Sequence, residues 1–472
     1  MPDANAGREG AIARATDYLD SGAFEADLAR RVAIPSESQE PRGLPHCARY
    51  LTEEMAPAFE AMGFEWRIFE NPVTTCGPIL LALRHEAEGL PTVLGYGHGD
   101  TVRGLEDQWT KGAGPWKTAR DGDRLYGRGT ADNKGQHSIN MAALRAVLET
   151  KGRLGFNAKF MIETGEENGS AGVYDVVKEN LDAFSADVFI ASDGPRVRMD
   201  RPTVCFGARG ALNFDMLVEL REGGHHSGNW GGALADPAAI LMHAVASIVS
   251  PKGQILIEEW LPPQITNATR EALKGVELDG GPTGPKVDRD WGEPGLTPAE
   301  KVYAWNSFAV LAMLSGNPSG PVNAIQPWAK AHCQLRYIAG TDVENVFPAL
   351  RRHLNALGFE NVQVLPPPPG NAGGFPASRT ELDDPWAVWV REAIARTTGQ
   401  APAVIPQMGG SICNDVFTDL LGLPAIWIPH SYGACSQHAP DEHILMPLSR
   451  EALALMAGLY WDLGEGSTPA PK

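Results

Sequence analysis

A chain of 472 residues exceeds what one ordinary core organises, so two domains are expected, one inserted in the other. Its 43% hydrophobic and 21% charged residues are those of an ordinary soluble globular protein. With 58 Asp and Glu against 40 Lys and Arg, the net charge of −18 has the wrong sign for a phosphate backbone or an anionic membrane, which argues against both as partners.

The N-terminal stretch MPDANAGREG carries no apolar signal-type segment, and nowhere do about 18 apolar residues run together, so a cytoplasmic location is expected. Residues 11–18 and 47–62 repeat their apolar positions at three and four, which predicts helices. Short apolar runs bounded by Gly, Pro, Asp or Glu predict buried strands at 79–83, 92–96, 158–162, 188–191 and 425–428, with helices between them at 138–149 and 173–181. Strands alternating with helices predict an α/β sheet covered on both faces.

From about residue 209 the pattern changes to strand 212–220, helix 237–249, strand 329–337, helix 343–357 and strand 362–365, a smaller α+β unit. The expected division is 1–207 and 379–472 for one domain and 208–378 for its insert. Residues 366–376, rich in Pro and Gly, read as a hinge, and 279–298 as a long irregular loop without assigned function. Cys47, Cys76, Cys205, Cys333, Cys413 and Cys435 lack CxxC or CxH spacing and are expected as reduced thiols, Cys435 as an inert packed one despite its closeness to His438.

Polar residues follow the predicted strands: His98 and Asp100 after the second, Glu166 and Glu167 after the third, Asp193 after the fourth, His438 after the last. Ligands of open α/β sheets bind beyond the carboxyl ends of the strands, so separate segments deliver carboxylate and imidazole to one edge. Five such ligands without a thiolate suit two divalent ions sharing one carboxylate. His98 can ligate while Asp100 fixes its tautomer. Asp132, in a Gly-rich turn, can bridge two ions; the alternatives are a helix N-cap, or a phosphate-binding nest in the same turn. Adjacent Glu166 and Glu167 repel unless a cation or a shared proton relieves them; a dication casts Glu167 as ligand and Glu166 as general base, against the alternative of exposed loop glutamates. Asp193 and His438 complete the set, with His430 and His443 competing for the place of His438.

The motifs GHGDTV (97–102), GRGTADNKG (127–135), ETGEENGSAG (163–172), ASDGP (191–195) and HAPDE (438–442) together resemble those of the M20 metallopeptidases, a family of dipeptidases, carboxypeptidases and amino-acid deacylases. The resemblance implies a zinc-peptidase-like domain with a mixed central sheet flanked by helices, plus an inserted α+β lid and dimerisation domain. It implies one ion on His98, Asp132 and Asp193 and another on Asp132, Glu167 and His438, usually zinc, with cobalt or manganese as further candidates. Glu166 is then the base and Asp100 the orienter of His98. On the lid, His226 resembles the histidine that stabilises the oxyanion across a dimer, and Asn323 and Arg336 resemble residues that hold a substrate carboxylate, as do the amides of Gly409, Gly410 and Ser411. Ala-Ile-Gln-Pro327 and Cys-Asn-Asp415 depart from the family pattern near Asn323 and Ser411. The expected function is hydrolysis of the amide of a dipeptide or N-acyl amino acid by a water that two ions bridge, in a homodimer; an N-carbamoyl or other non-peptide amide is the alternative substrate, and a silent metal-binding protein the alternative outside enzymes.

Overall fold

The computed structural model describes residues 7–278, 285–366, 374–466 and 468–470. Buried apolar runs assemble an eight-stranded sheet in the order Glu65–Phe69, Ile79–Arg84, Asn157–Glu163, Thr92–His98, Val188–Ala191, Ala425–Trp427, Thr203–Cys205 and Ala403–Ile405. Thr92–His98 runs parallel to both neighbours, while Ile79–Arg84 is antiparallel to Asn157–Glu163 and Thr203–Cys205 is antiparallel to Ala425–Trp427, so the sheet is mixed.

Alternation along the strands gives each face its own core. Leu80, Ala82, Phe160, Ile162 and Val188 pack with residues of the helices Arg8–Asp20, Lys134–Lys151, Pro385–Thr398 and Met446–Leu463. Ile79, Leu81, Tyr96, Phe189 and Trp427 pack on the other side with Val173, Val176 and Val177 of the helix Val173–Glu179. The α/β architecture with helices on both faces is as expected, and His98 is the last residue of its strand.

The insert is a four-stranded antiparallel sheet, Ser307–Leu314, Trp328–Tyr337, Gly210–Glu219 and Val362–Leu365, with the helices Pro237–Ile248 and Val346–Ala356 sharing its core. Asp236 caps the first of these by accepting a hydrogen bond from the Ala238 amide at 2.9 Å, ahead of a proline whose missing N–H costs nothing there.

Several elements differ from expectation. The helix expected over 47–62 is divided by a wider turn, Tyr50–Met55, just before Pro57, which has no N–H to continue the ladder. The helix expected over 173–181 breaks at Asn180, whose backbone leaves the helical region, and resumes as Leu181–Phe184. The edge strand Ser307–Leu314 and the helices Ala23–Val32, Pro385–Thr398 and Met446–Leu463 were not foreseen. Of the expected hinge and loop, 367–373 and 279–284 lie outside the described residues. Parts of the connection after Pro263 leave the insert: Leu273, Val276, Ala299 and Ala304 share a core with Ile405, Ile412 and Trp427 of the large domain.

Among the described residues no helix is long and apolar enough to cross a membrane. All six cysteines are free and buried, and burial pushes the Cys435 thiol up to about 12, which favours its protonated form.

Candidate metal centre

The fold brings together all seven residues expected in the cluster, His98, Asp100, Asp132, Glu166, Glu167, Asp193 and His438. His98 is fully buried, with Nε2 at 3.0 Å from Asp132 Oδ1, 3.7 Å from Asp193 Oδ2 and 4.0 Å from Glu166 Oε2. Its Nδ1 lies 3.1 Å from the Asp100 carbonyl oxygen and 3.5 Å from the Asp100 carboxylate. That carboxylate accepts hydrogen bonds from Ser38 Oγ at 2.6 Å and from the amides of Glu166 and Glu167 at 3.2 and 3.1 Å, so Asp100 ties the strand carrying His98 to the turn carrying both glutamates.

Asp132 Oδ2 is 2.9 Å from His438 Nε2 and accepts a hydrogen bond from Gln437 Nε2 at 2.6 Å, and His438 Nε2 also lies 3.2 Å from Glu167 Oε2. The His438 side chain is about half exposed. Its backbone, with those of Ser436 and Asp441, is left-handed at φ between 57° and 64°, strain of the kind held at functional sites. Asp193 Oδ1 accepts a hydrogen bond from the Gly194 amide at 2.6 Å.

The geometry bears on each alternative the sequence left open. Asn133, not Asp132, is the N-cap residue of Lys134–Lys151, and it makes no side-chain cap bond. The Gly-rich nest is filled from within: the Glu442 carboxylate accepts hydrogen bonds from the amides of Gly129, Ala131 and Asp132 at 2.9–3.1 Å and pairs with Arg128. His430 is buried against Ser192 and Asn140, and His443 against the Tyr432 hydroxyl, so neither competes with His438. Glu166 and Glu167 are largely buried rather than exposed.

Electrostatics favour a cation here. Burial, reinforced by Asp132, pushes the Glu167 carboxyl up to about 7 and that of Asp193 up to about 6. Burial also drives Glu166 well above the usual range, with Glu167 adding repulsion. Hydrogen bonds to Asp132 and Glu167 lift His438 to about 11, and those to Asp100 and Asp132 lift His98 strongly although burial opposes it. Buried Glu167 Oε1 has no hydrogen-bond partner among the described residues. Ligand atoms of His98, Asp132 and Glu167 all lie within 4.8 Å of one another. Crowded buried carboxylates, an orphaned oxygen and two imidazoles fit a divalent cation.

Asp132, Glu166, Asp193, Gln437 and His438 border a cavity of about 430 Å³ that Gly409, Gly410 and Ser411 also line. Arg336 Nη1 donates to Ser411 Oγ at 2.7 Å, and Ser411 Oγ donates to the Arg209 carbonyl at 2.6 Å. His226 and Asn323 stand elsewhere. Both are exposed on the insert, where Ser227 N donates to the Asn323 carbonyl and His226 Nδ1 accepts from the Gly228 amide; neither lines the cavity. Gln437, Ser38, Arg209 and Glu442 were missed as site residues. Gln437 and Glu442 flank His438 in one motif, a signal that could have found them; Ser38 lies in an irregular stretch that offers none.

The family model described as peptidase family M20/M25/M40 matches residues 94–462, a span that holds every member of this cluster from His98 to His438. The chain belongs to this family. It is 28% identical over 321 residues to a cysteinylglycine-S-conjugate dipeptidase of Corynebacterium striatum, covering 66% of each chain. It is 30% identical over 289 residues to a Beta-Ala-His dipeptidase of Mus musculus, covering 57% of this chain and 58% of the relative. These two alignments thus span less than two thirds of the relatives' length. The family's fold extends further: an M20 family metallo-carboxypeptidase, Sso-CP2 from Sulfolobus solfataricus, superposes with a TM-score of 0.79 at 22% identity, covering 94% of this chain and 99% of the other.

Proposed function

We propose that the chain is a metallodipeptidase that hydrolyses the amide bond of a small peptide carrying a free carboxylate. The observation that carries this reading is Glu166, whose buried carboxylate borders the cavity, lies 4.0 Å from His98 Nε2 and accepts no hydrogen bond among the described residues. A carboxylate so placed has no structural duty and is free to move a proton. Family membership and the two relatives named as dipeptidases support the same reaction class.

In this reading His98, Asp132 and Asp193 hold one divalent ion, and Asp132, Glu167 and His438 the other, zinc being the family's usual metal. Such ions, when bound, polarise an amide carbonyl and acidify a water. Glu166 takes the proton of that water and passes it to the leaving nitrogen. Asp100 keeps His98 oriented, and Arg336 with the Gly409–Ser411 turn receives the substrate carboxylate. Asn323 and His226 act only if a second copy brings them to a cavity, which makes the protein a homodimer through residues 208–378, with catalytic parts 1–207 and 379–472.

Glu166→Gln is the test. Turnover of dipeptides is expected to fall by roughly 10²–10⁴-fold, the worth of a general base, with metal content by elemental analysis unchanged. Loss of metal together with activity would make Glu166 a ligand instead.

A further inference from the structure

The cavity's lining is of two chemical kinds. Beside the carboxylate and imidazole cluster it includes a set of uncharged wall residues, Val197, Cys205, Val302, Tyr303, Ile405 and Met408, and among the described lining residues there is no Lys or Arg and no Asp or Glu outside the cluster. The wall's two weakly acidic groups are neutral at physiological pH, since burial pushes both the Cys205 thiol and the Tyr303 phenol up to about 12. The wall is built from separate segments: Cys205 and Ile405 end adjacent parallel strands of the large sheet, and Val302 and Tyr303 close the short helix Pro298–Tyr303. A surface assembled from three parts of the chain and left without charge is a binding face for apolar groups.

The wall adjoins the turn to which the proposed function assigns the substrate carboxylate. Met408 immediately precedes the turn Gly409–Ser411 and Ile412 follows it, and all five residues border the cavity. The amides of Gly410 and Ser411 donate no hydrogen bond among the described residues, and the Arg336 guanidinium reaches Ser411 Oγ at 2.7 Å. An amino acid carries its carboxylate and its side chain on one carbon. A carboxylate anchored at the turn would keep that residue's side chain within reach of Met408 and Ile412, which flank the turn and line the same cavity as Glu166. The volume of about 430 Å³ is near the lower end for small-molecule sites and suits a dipeptide rather than a longer peptide.

We infer that the carboxylate-bearing residue of the substrate has an apolar side chain of leucine, methionine or phenylalanine size. This rests on the dipeptidase reading above and narrows it.

The test is kcat/KM of the metal-loaded full-length protein on Ala-Xaa dipeptides with Xaa Gly, His, Lys, Asp, Leu, Met or Phe. The Leu, Met and Phe substrates are expected to exceed the Gly substrate by about tenfold or more, from burying one large apolar side chain, and to exceed the Lys and Asp substrates as well. Turnover that is equal across the panel, or greatest for Gly, His or a charged residue, overturns this inference and leaves the dipeptidase reading standing. No turnover on any member overturns both. As a second measurement, Val302→Asp places a charge on the wall, and the Leu-to-Gly ratio of kcat/KM is expected to fall by about tenfold. That ratio does not depend on the fraction of folded enzyme, and an unchanged ratio removes Val302 and its wall from specificity.

Discussion

Glu442 shows how a single carboxylate can fasten a metal centre that it does not touch. It is 1% exposed and occupies the nest made by the amides of Gly129, Ala131 and Asp132, paired at 2.9 Å with an Arg128 that is itself fully buried. Four residues from His438 in sequence, it ties the His438 loop to the Asp132 turn. A buried pair adds little net stability over apolar packing, but removing one partner leaves the other charge uncompensated, at about 3–5 kcal/mol. Glu442→Ala is therefore expected to lower the stability of the metal-free protein by about that amount in urea titration, and to reduce its uptake of metal. A denaturation midpoint equal to that of the parent would show that Arg128 finds another partner. The sequence made Asp132 and His438 legible, one in a Gly-rich turn and the other after a predicted strand, and the motif around His438 pointed to Glu442 without revealing its role. An acidic residue beside a histidine reads as a second ligand or as solvent-facing charge, and only the folded chain brings it against amides more than 300 positions away.

Among the elements, strands with one consistent environment were the easiest to read. Thr92–His98 and Asn157–Glu163 are buried at nearly every position, and a short apolar run between polar boundaries announces such a strand. Met446–Leu463 was hidden for a related reason: thirteen of its eighteen residues are buried, so no polar face marks the helical period. Ser307–Leu314 inverts the rule, being apolar in sequence yet exposed at six of eight positions. The helix Pro298–Tyr303 is too short to be stable on its own and depends on its cap. Thr297 Oγ1 accepts from the Glu300 amide at 3.2 Å while the Glu300 carboxylate accepts from the Thr297 amide at 2.7 Å, and Arg270 pairs with the same glutamate. Thr297→Ala is expected to cost about 1 kcal/mol. Because the helix carries Val302 and Tyr303 to the cavity, the loss should appear as faster amide hydrogen exchange over residues 300–304 with the large sheet unaffected, and equal protection in parent and variant would show that packing alone holds the helix.

At the scale of the whole molecule, one chain does not complete the arrangement that its sequence resembles. His226 and Asn323 sit together on the insert, outside the cavity of their own chain. The insert also ends in an edge strand whose Val310, Leu311, Met313 and Leu314 are each 39–52% exposed. An unpaired apolar edge is a template for another strand, and a second copy related by a twofold axis satisfies both edges at once. In the proposed homodimer such a pairing would join the two inserts, and a His226 brought by it to the other copy's cavity would be worth about 10²–10³-fold in rate as an imidazole donor to a developing oxyanion. His226→Ala and Glu166→Gln should therefore each be nearly inactive alone for different reasons. When the two are co-expressed, half the dimers are mixed, and each mixed dimer has one site with a native Glu166 facing a native His226 from the other chain. About a quarter of all sites should then recover the parent rate, as random pairing in a twofold dimer requires. Recovery in that proportion, with sedimentation showing a dimer, establishes the exchange across the interface; no recovery confines His226 to its own chain.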